Sequence, residues 1–159
     1  MSTRLNVSPL RHCGRVSFYN LWDHLRTAFP RVRVEFARLD GRCGETNDRD
    51  LIRLDKRLLQ VERRCTLAHE LVHLEAGEGR ACTASREREV DRIAAARLIS
   101  LEALEKAARW ARSPAELAEE LWVTPSMLEA RCETLTASEL SVVAGPENEE
   151  VSFTFFANG

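Results

Sequence analysis

The chain has 159 residues, 44% hydrophobic and 30% charged, with 23 basic against 25 acidic side chains and a formal net charge of −2. That size and apolar content suit one domain with its own core, or one domain with a tail, and the balanced charge argues against a nucleic-acid-binding surface. Five scattered cysteines without a Cys-x-x-Cys pair argue against a disulfide framework. Residues 1–18 carry basic side chains but no continuous apolar run, so neither a signal peptide nor a membrane span is expected, and the chain is expected to be cytoplasmic.

Residues 16–29 read as a helix with Phe18, Leu21, Trp22, Leu25 and Phe29 on one stripe, stopped by Pro30. Residues 31–37 alternate, with Val32, Val34 and Phe36 on one face and Arg33 and Glu35 on the other, as in a half-buried strand. A polar stretch follows to Asp50, and residues 51–54 form a second strand, the expected hairpin partner of the first. A helix is expected over residues 59–76, with Gly77 and Gly79 as its stop. A third begins near Ser85 after a loop, and residues 101–111 continue helical. Ser113-Pro114-Ala115-Glu116 is a capping box opening a short helix to Leu121, and Thr124-Pro125 caps another to about Leu135. From Ser138 onward helical periodicity is lost. Residues 151–156 read as a short terminal strand or as part of a loosely attached tail. The reading is thus a single domain over residues 1–137, holding a helix-turn-helix-like pair at 113–136, and a tail at 138–159. The class is α+β and mostly helical, with a small antiparallel sheet against the second helix and a C-terminal helical buttress.

The chemistry concentrates in His69-Glu70-Leu71-Val72-His73. Residues four apart on a helix lie one above the other, so both imidazoles can face one metal ion. Glu70 lies beside them, able to reach a bound water without being a ligand, which is the HExxH arrangement of zinc metallopeptidases. Leu67, Leu71 and Leu74 lie away from the histidines, and Ala68 and Val72 cover a flank, so the helix is buried on several sides. Two imidazoles and a carboxylate buried there need a partner, and a metal ion supplies one. Cys65 lies one turn before His69 and reads as a small buried core residue. Cys82, in the following loop, is a thiol that could approach the metal and fill its open position.

A catalytic zinc site needs three protein ligands and an open position. The acidic cluster Glu87-Arg88-Glu89-Val90-Asp91 on the next helix supplies candidates, and Glu87 and Glu89 project about 160° apart, so they cannot both be ligands. The HExxH followed by Glu87-Arg88-Glu89-Val90-Asp91-Arg92-Ile93-Ala94-Ala95-Ala96-Arg97-Leu98-Ile99 resembles the ImmA/IrrE family of metallopeptidases, over roughly residues 20–136. That family typically shows Glu-x-Glu-Ala-Asn-x-Phe-Ala-x-x-Leu-Leu after its HExxH. Here Val90 stands for alanine and Ile93 for phenylalanine, Asp91 stands where Asn or Asp is usual, and Ser100-Leu101 replaces the usual Met-Pro. The family register puts Glu89 at the third ligand, with Glu87 as the alternative.

The resemblance implies a compact gluzincin-type endopeptidase of the mobile-element or phage kind. Zn²⁺ would be held by His69, His73 and Glu89, with Glu70 as general base and a specific protein substrate, a helix-turn-helix transcriptional repressor. Asp91 is a candidate to orient a ligand histidine. Tyr19, His12 and His24 are the spare donors for an oxyanion and read as structural. The strand at residues 32–36 is a candidate edge for an extended peptide. Two rivals stand beside this reading. One is a metal-containing protein-binding module that no longer cuts. The other is a DNA-binding regulator using residues 115–134, disfavoured because Glu116, Glu119, Glu120, Glu129 and Glu133 repel phosphate.

Overall fold

A computed structural model describes residues 19–77 and 83–144. Helix α1, Leu21–Ala28, is capped by the Asn20 side chain, which accepts from the Asp23 N–H. Leu21 and Leu25 enter the core, but Trp22 stays half exposed. Strands β1 (Arg33–Ala37), β2 (Gly44–Thr46) and β3 (Leu51–Asp55) form one sheet in the order β1-β3-β2.

The sheet is mixed, which corrects the expected antiparallel pairing of the first two predicted strands. β1 runs parallel to β3, with Arg33 opposite Leu51. The antiparallel partner of β3 is β2, inside the stretch read as a polar loop. Asn47 makes the hairpin: its Oδ1 accepts from the N–H groups of Arg49, Asp50 and Leu51 at 3.1, 3.0 and 2.9 Å. Asp48 takes a left-handed φ of 58° there, a conformation Asp tolerates better than most residues. With that turn filling the antiparallel side of β3, β1 takes the other edge.

β3 is the sheet's central strand, and its Ile52 and Leu54 are fully buried. They belong to one continuous core with Leu67, Leu71 and Leu74 of helix α2, Gln60–Ala76. The Glu62 carboxylate starts that helix by accepting the Leu59 N–H at 2.7 Å. Helix α3, Ala84–Leu98, packs along α2 through Val90, Ala94, Ala95 and Leu98, and is capped by Thr83.

Helices α4 (Leu101–Ala108), α5 (Pro114–Glu120) and α6 (Pro125–Cys132) follow, each opened by its Ser or Thr cap. α6 packs on α3, so the buttress forms as expected. Its Arg131 is buried, donating from Nε to the Ile99 carbonyl at 2.8 Å. Helicity does not stop at Ser138: α7 spans Ala137–Ala144, packs on α4 and buries Val143. Val142, beside it, is half exposed, which breaks the apolar stripe a sequence scan looks for. The expected strand at 151–156 lies outside the described residues. Among the described residues no helix is long and apolar enough to cross a membrane.

Asp55 closes the sheet onto the start of α2. Its carboxylate accepts from the Leu39 N–H at 2.9 Å and from the Arg57 backbone N–H at 2.8 Å, while the Arg57 guanidinium binds both oxygens. The Arg57 side-chain hydrogen bonds hold this carboxyl far below the usual range. Such a group stabilises the fold above its unfolded pKa of about 3.9, and the contribution is lost as pH falls through the lower folded value. Asp55→Asn is therefore expected to lower Tm at pH 7. The gap to wild type should narrow below about pH 4, as thermal unfolding by circular dichroism will show.

Candidate metal centre

α2 presents two different faces. Leu67, Leu71 and Leu74 point into the core, while His69 and His73 project together on the far side, their rings 4.8 Å apart. Their Nε2 atoms lie 3.0 Å apart. Across from them, Glu87 in the first turn of α3 brings Oε2 to 3.2 Å from His69 Nε2 and Oε1 to 3.4 Å from His73 Nε2. Among the described residues, these three side chains form the one group of His, Cys, Asp or Glu ligand atoms close enough to share a metal ion.

The spacing can be tested against a metal. Tetrahedral ligands at about 2.0–2.1 Å from zinc lie about 3.3 Å from each other. The two Nε2 atoms lie 3.0 Å apart and each has a Glu87 oxygen within 3.4 Å, Oε2 for His69 and Oε1 for His73, so that one ligand atom from each residue lies within 4.8 Å of the others, close enough to share an ion. The donor set of two imidazoles and a carboxylate suits Zn²⁺ and also admits other divalent ions.

Glu89, the expected third ligand, does not join this group; it is exposed on the other side of α3. The reason is helical geometry. Val90, Ala94, Ala95 and Leu98 are the residues α3 buries, and the direction midway among them falls between Glu87 and Asp91. Glu89 points about 160° from Glu87. The acidic cluster offered two glutamates and the family register favoured Glu89; the buried stripe of α3 turns Glu87 toward the histidines.

The same face carries Asp91, four residues after Glu87. Its Oδ1 lies 2.8 Å from His69 Nδ1. With the Nδ1 proton donated to Asp91, neutral His69 keeps the Nε2 lone pair for a metal. Burial works against a charged His69, but the Asp91 hydrogen bond and the charges of Asp91, Glu70 and Glu87 lift its pKa above the ordinary value. Asp91→Ala is expected to weaken metal affinity about 10- to 100-fold, the usual cost of losing such a partner, with Asp91→Asn affected less. A competition titration against a chelating dye will measure both.

Glu70 is buried between α2 and β2. Burial, reinforced by Glu87, Asp48 and Glu45 and opposed by His69, pushes its carboxyl up to about 7. β2 reaches this close because residue 44 is glycine. A Cβ there would lie 2.5 Å from Thr66 Cγ2 and 2.8 Å from Glu70 Oε1. Gly44→Ala is therefore expected to displace Glu70 and to destabilise the fold by about 1–3 kcal/mol. Lowered Tm and catalytic rate with unchanged metal content would be the signature.

The remaining candidates lie elsewhere. His24 pairs with Glu75 at 3.0 Å and packs against Tyr19, 5.6 Å between ring centroids, and Glu75 also binds Arg97. Neither Tyr19 nor His24 belongs to the metal-ligand group. Cys65 is buried, and its Sγ accepts the Thr124 N–H at 3.4 Å, as expected of a core thiol. His12 and Cys82 lie outside the described residues.

A family model described as the IrrE N-terminal-like domain, of the M78 peptidases, matches residues 31–133. No curated protein and no solved structure matches the chain. The matched segment spans the sheet, α2, α3 and the buttress, and so contains every residue of the metal centre.

Proposed function

The chain belongs to the IrrE N-terminal-like family of metallopeptidases, and from that premise we propose that it is a zinc-dependent endopeptidase acting on a protein substrate. The observation that carries this reading is the trio His69, His73 and Glu87, gathered closely enough to share a metal ion, with Glu70 buried beside it. In this proposal His69, His73 and Glu87 hold the metal and Asp91 fixes the His69 ring. Bound Zn²⁺ supplies Lewis acidity, bringing a water toward neutral pKa and polarising the scissile carbonyl. Glu70 takes the proton of the attacking water and passes it to the leaving amine.

The substrate strand docks along β2 in this reading rather than along β1. β3 separates β1 from β2, a displacement of two strand spacings, roughly 9–10 Å. Glu70 lies against β2, so an extended peptide added to the outer edge of β2 passes close to the base. For the partner, the family resemblance points to a helix-turn-helix transcriptional repressor. The DNA-binding alternative is disfavoured by α5 and α6: Glu116, Glu119 and Glu120 are exposed, whereas Arg131 is buried and bonded to the Ile99 carbonyl.

The test is cleavage of folded repressor proteins and of a peptide library by the zinc-loaded chain, read by mass spectrometry. Cut products from wild type, absent with Glu70→Gln and after chelation, are expected. Tight binding of a partner without any cut, in samples of full zinc content, would favour the non-cutting binding module instead.

A further inference from the structure

Both carboxylates that meet the histidines, Glu87 and Asp91, ride on α3, while His69 and His73 ride on α2. The metal centre therefore depends on the rotation of α3 about its own axis. At a side-chain radius of about 5–6 Å, each 10° of turn moves a ligand atom by about 1 Å. Two of the four residues α3 buries are alanines, which offer only short ridges to a neighbouring helix. Apolar packing alone thus holds that rotation loosely.

Ion pairs brace the helix on both flanks. Relative to the direction midway between Glu87 and Asp91, Arg97 projects about 100° to one side and Arg92 about 120° to the other. Arg97 binds Glu75 of α2, and Arg92 binds Glu133, at the end of α6, at 2.9 Å. The two braces are unequal. The Arg97 and Glu75 side chains are 30% and 23% exposed, against 40% and 53% for Arg92 and Glu133. Exposed pairs contribute little, so the Glu75 brace is the stronger.

Glu75 uses both of its oxygens. Oε2 accepts from Arg97, and Oε1 accepts from His24 Nε2 of α1 at 3.0 Å. Arg97 Nη1 is buried with no acceptor among the described residues, which leaves Glu75 as the carboxylate that balances this guanidinium. We propose that Glu75 is a positioning residue of the metal centre: through Arg97 it sets the rotation of α3 and so aims Glu87 and Asp91 at His69 and His73. This role rests on the reading that His69, His73 and Glu87 hold the ion, and it adds a residue outside that ligand group.

The test measures Zn²⁺ affinity of the full chain by competition with a chelating dye, beside Tm. Glu75→Ala and Arg97→Met break the pair from either side. Each should bind Zn²⁺ roughly 3- to 10-fold more weakly, less than the loss of a direct partner such as Asp91. Glu75→Gln, whose amide oxygen still accepts from Arg97, should stay near wild type. His24→Ala removes only the branch to α1; it should lower Tm and leave Zn²⁺ affinity unchanged. Co²⁺ loaded in place of Zn²⁺ reports ligand geometry, and its visible spectrum should shift in Glu75→Ala but not in His24→Ala. Should Glu75→Ala fail to fold, Arg97→Met carries the same test without leaving a guanidinium unpaired. Wild-type affinity in the folded variants of the pair would overturn the proposal. An equal loss in His24→Ala would also overturn it, as general softening of the fold. A wild-type chain that binds no zinc would remove the metal centre and this role together, whereas tight wild-type binding indifferent to Glu75 and Arg97 would remove this role alone.

Discussion

Glu87→Ala should abolish metal binding under conditions where Glu89→Ala leaves it intact. The two side chains are two residues apart on α3, equally acidic and alike in composition, so only their direction differs. Glu87 Oε1 and Oε2 lie 3.4 and 3.2 Å from the two imidazole nitrogens, whereas Glu89 is exposed. Removing one of three ligands should cost at least about 100-fold in affinity, beyond the range for an outer partner such as Asp91. Metal content after dialysis, measured by elemental analysis, separates the cases. Wild type and Glu89→Ala should retain one ion per chain, and Glu87→Ala little. Loss in Glu89→Ala with retention in Glu87→Ala would restore the family-register assignment.

Glu70→Gln should do the opposite, keeping the metal and losing the chemistry. The amide is nearly the same size, so the packing beside Gly44 of β2 is preserved, but it cannot accept the proton of an attacking water. General-base catalysis contributes about 10²–10⁴-fold, and the fall in kcat should lie in that range. KM should change little, because the substrate strand in this account is held by β2. A Glu70→Gln protein that cleaves at the wild-type rate would remove Glu70 from the reaction.

These predictions rest on features of unequal legibility in the sequence. The HExxH pair was readable because i and i+4 share a helix face whatever surrounds the helix. The buttress helices were readable through Ser113 and Thr124, whose caps form as the sequence suggests. Which glutamate faces the histidines was harder to read: the family register was weighed above the burial stripe of Val90, Ala94, Ala95 and Leu98, which turns Glu87 rather than Glu89 toward them. The sheet was misread for a different reason. β2 is three residues long and includes a glycine, with no apolar alternation to reveal it. What betrays it is the Asn47-Asp48 turn, a local chemical signal that the hydrophobic pattern does not carry. Trp22 and Phe36 show a third limit. Both sat on predicted apolar stripes, yet both line an open groove, because periodicity reports which residues share a face and not what covers it.

X-ray absorption at the zinc edge of the reconstituted chain reports directly whether His69, His73 and Glu87 hold the ion. Nitrogen and oxygen scatterers at about 2.0–2.1 Å with the outer-shell signature of two imidazoles are expected, unchanged in Glu89→Ala and disrupted in Glu87→Ala. A sulfur shell near 2.3 Å, or fewer than two imidazoles, would contradict it.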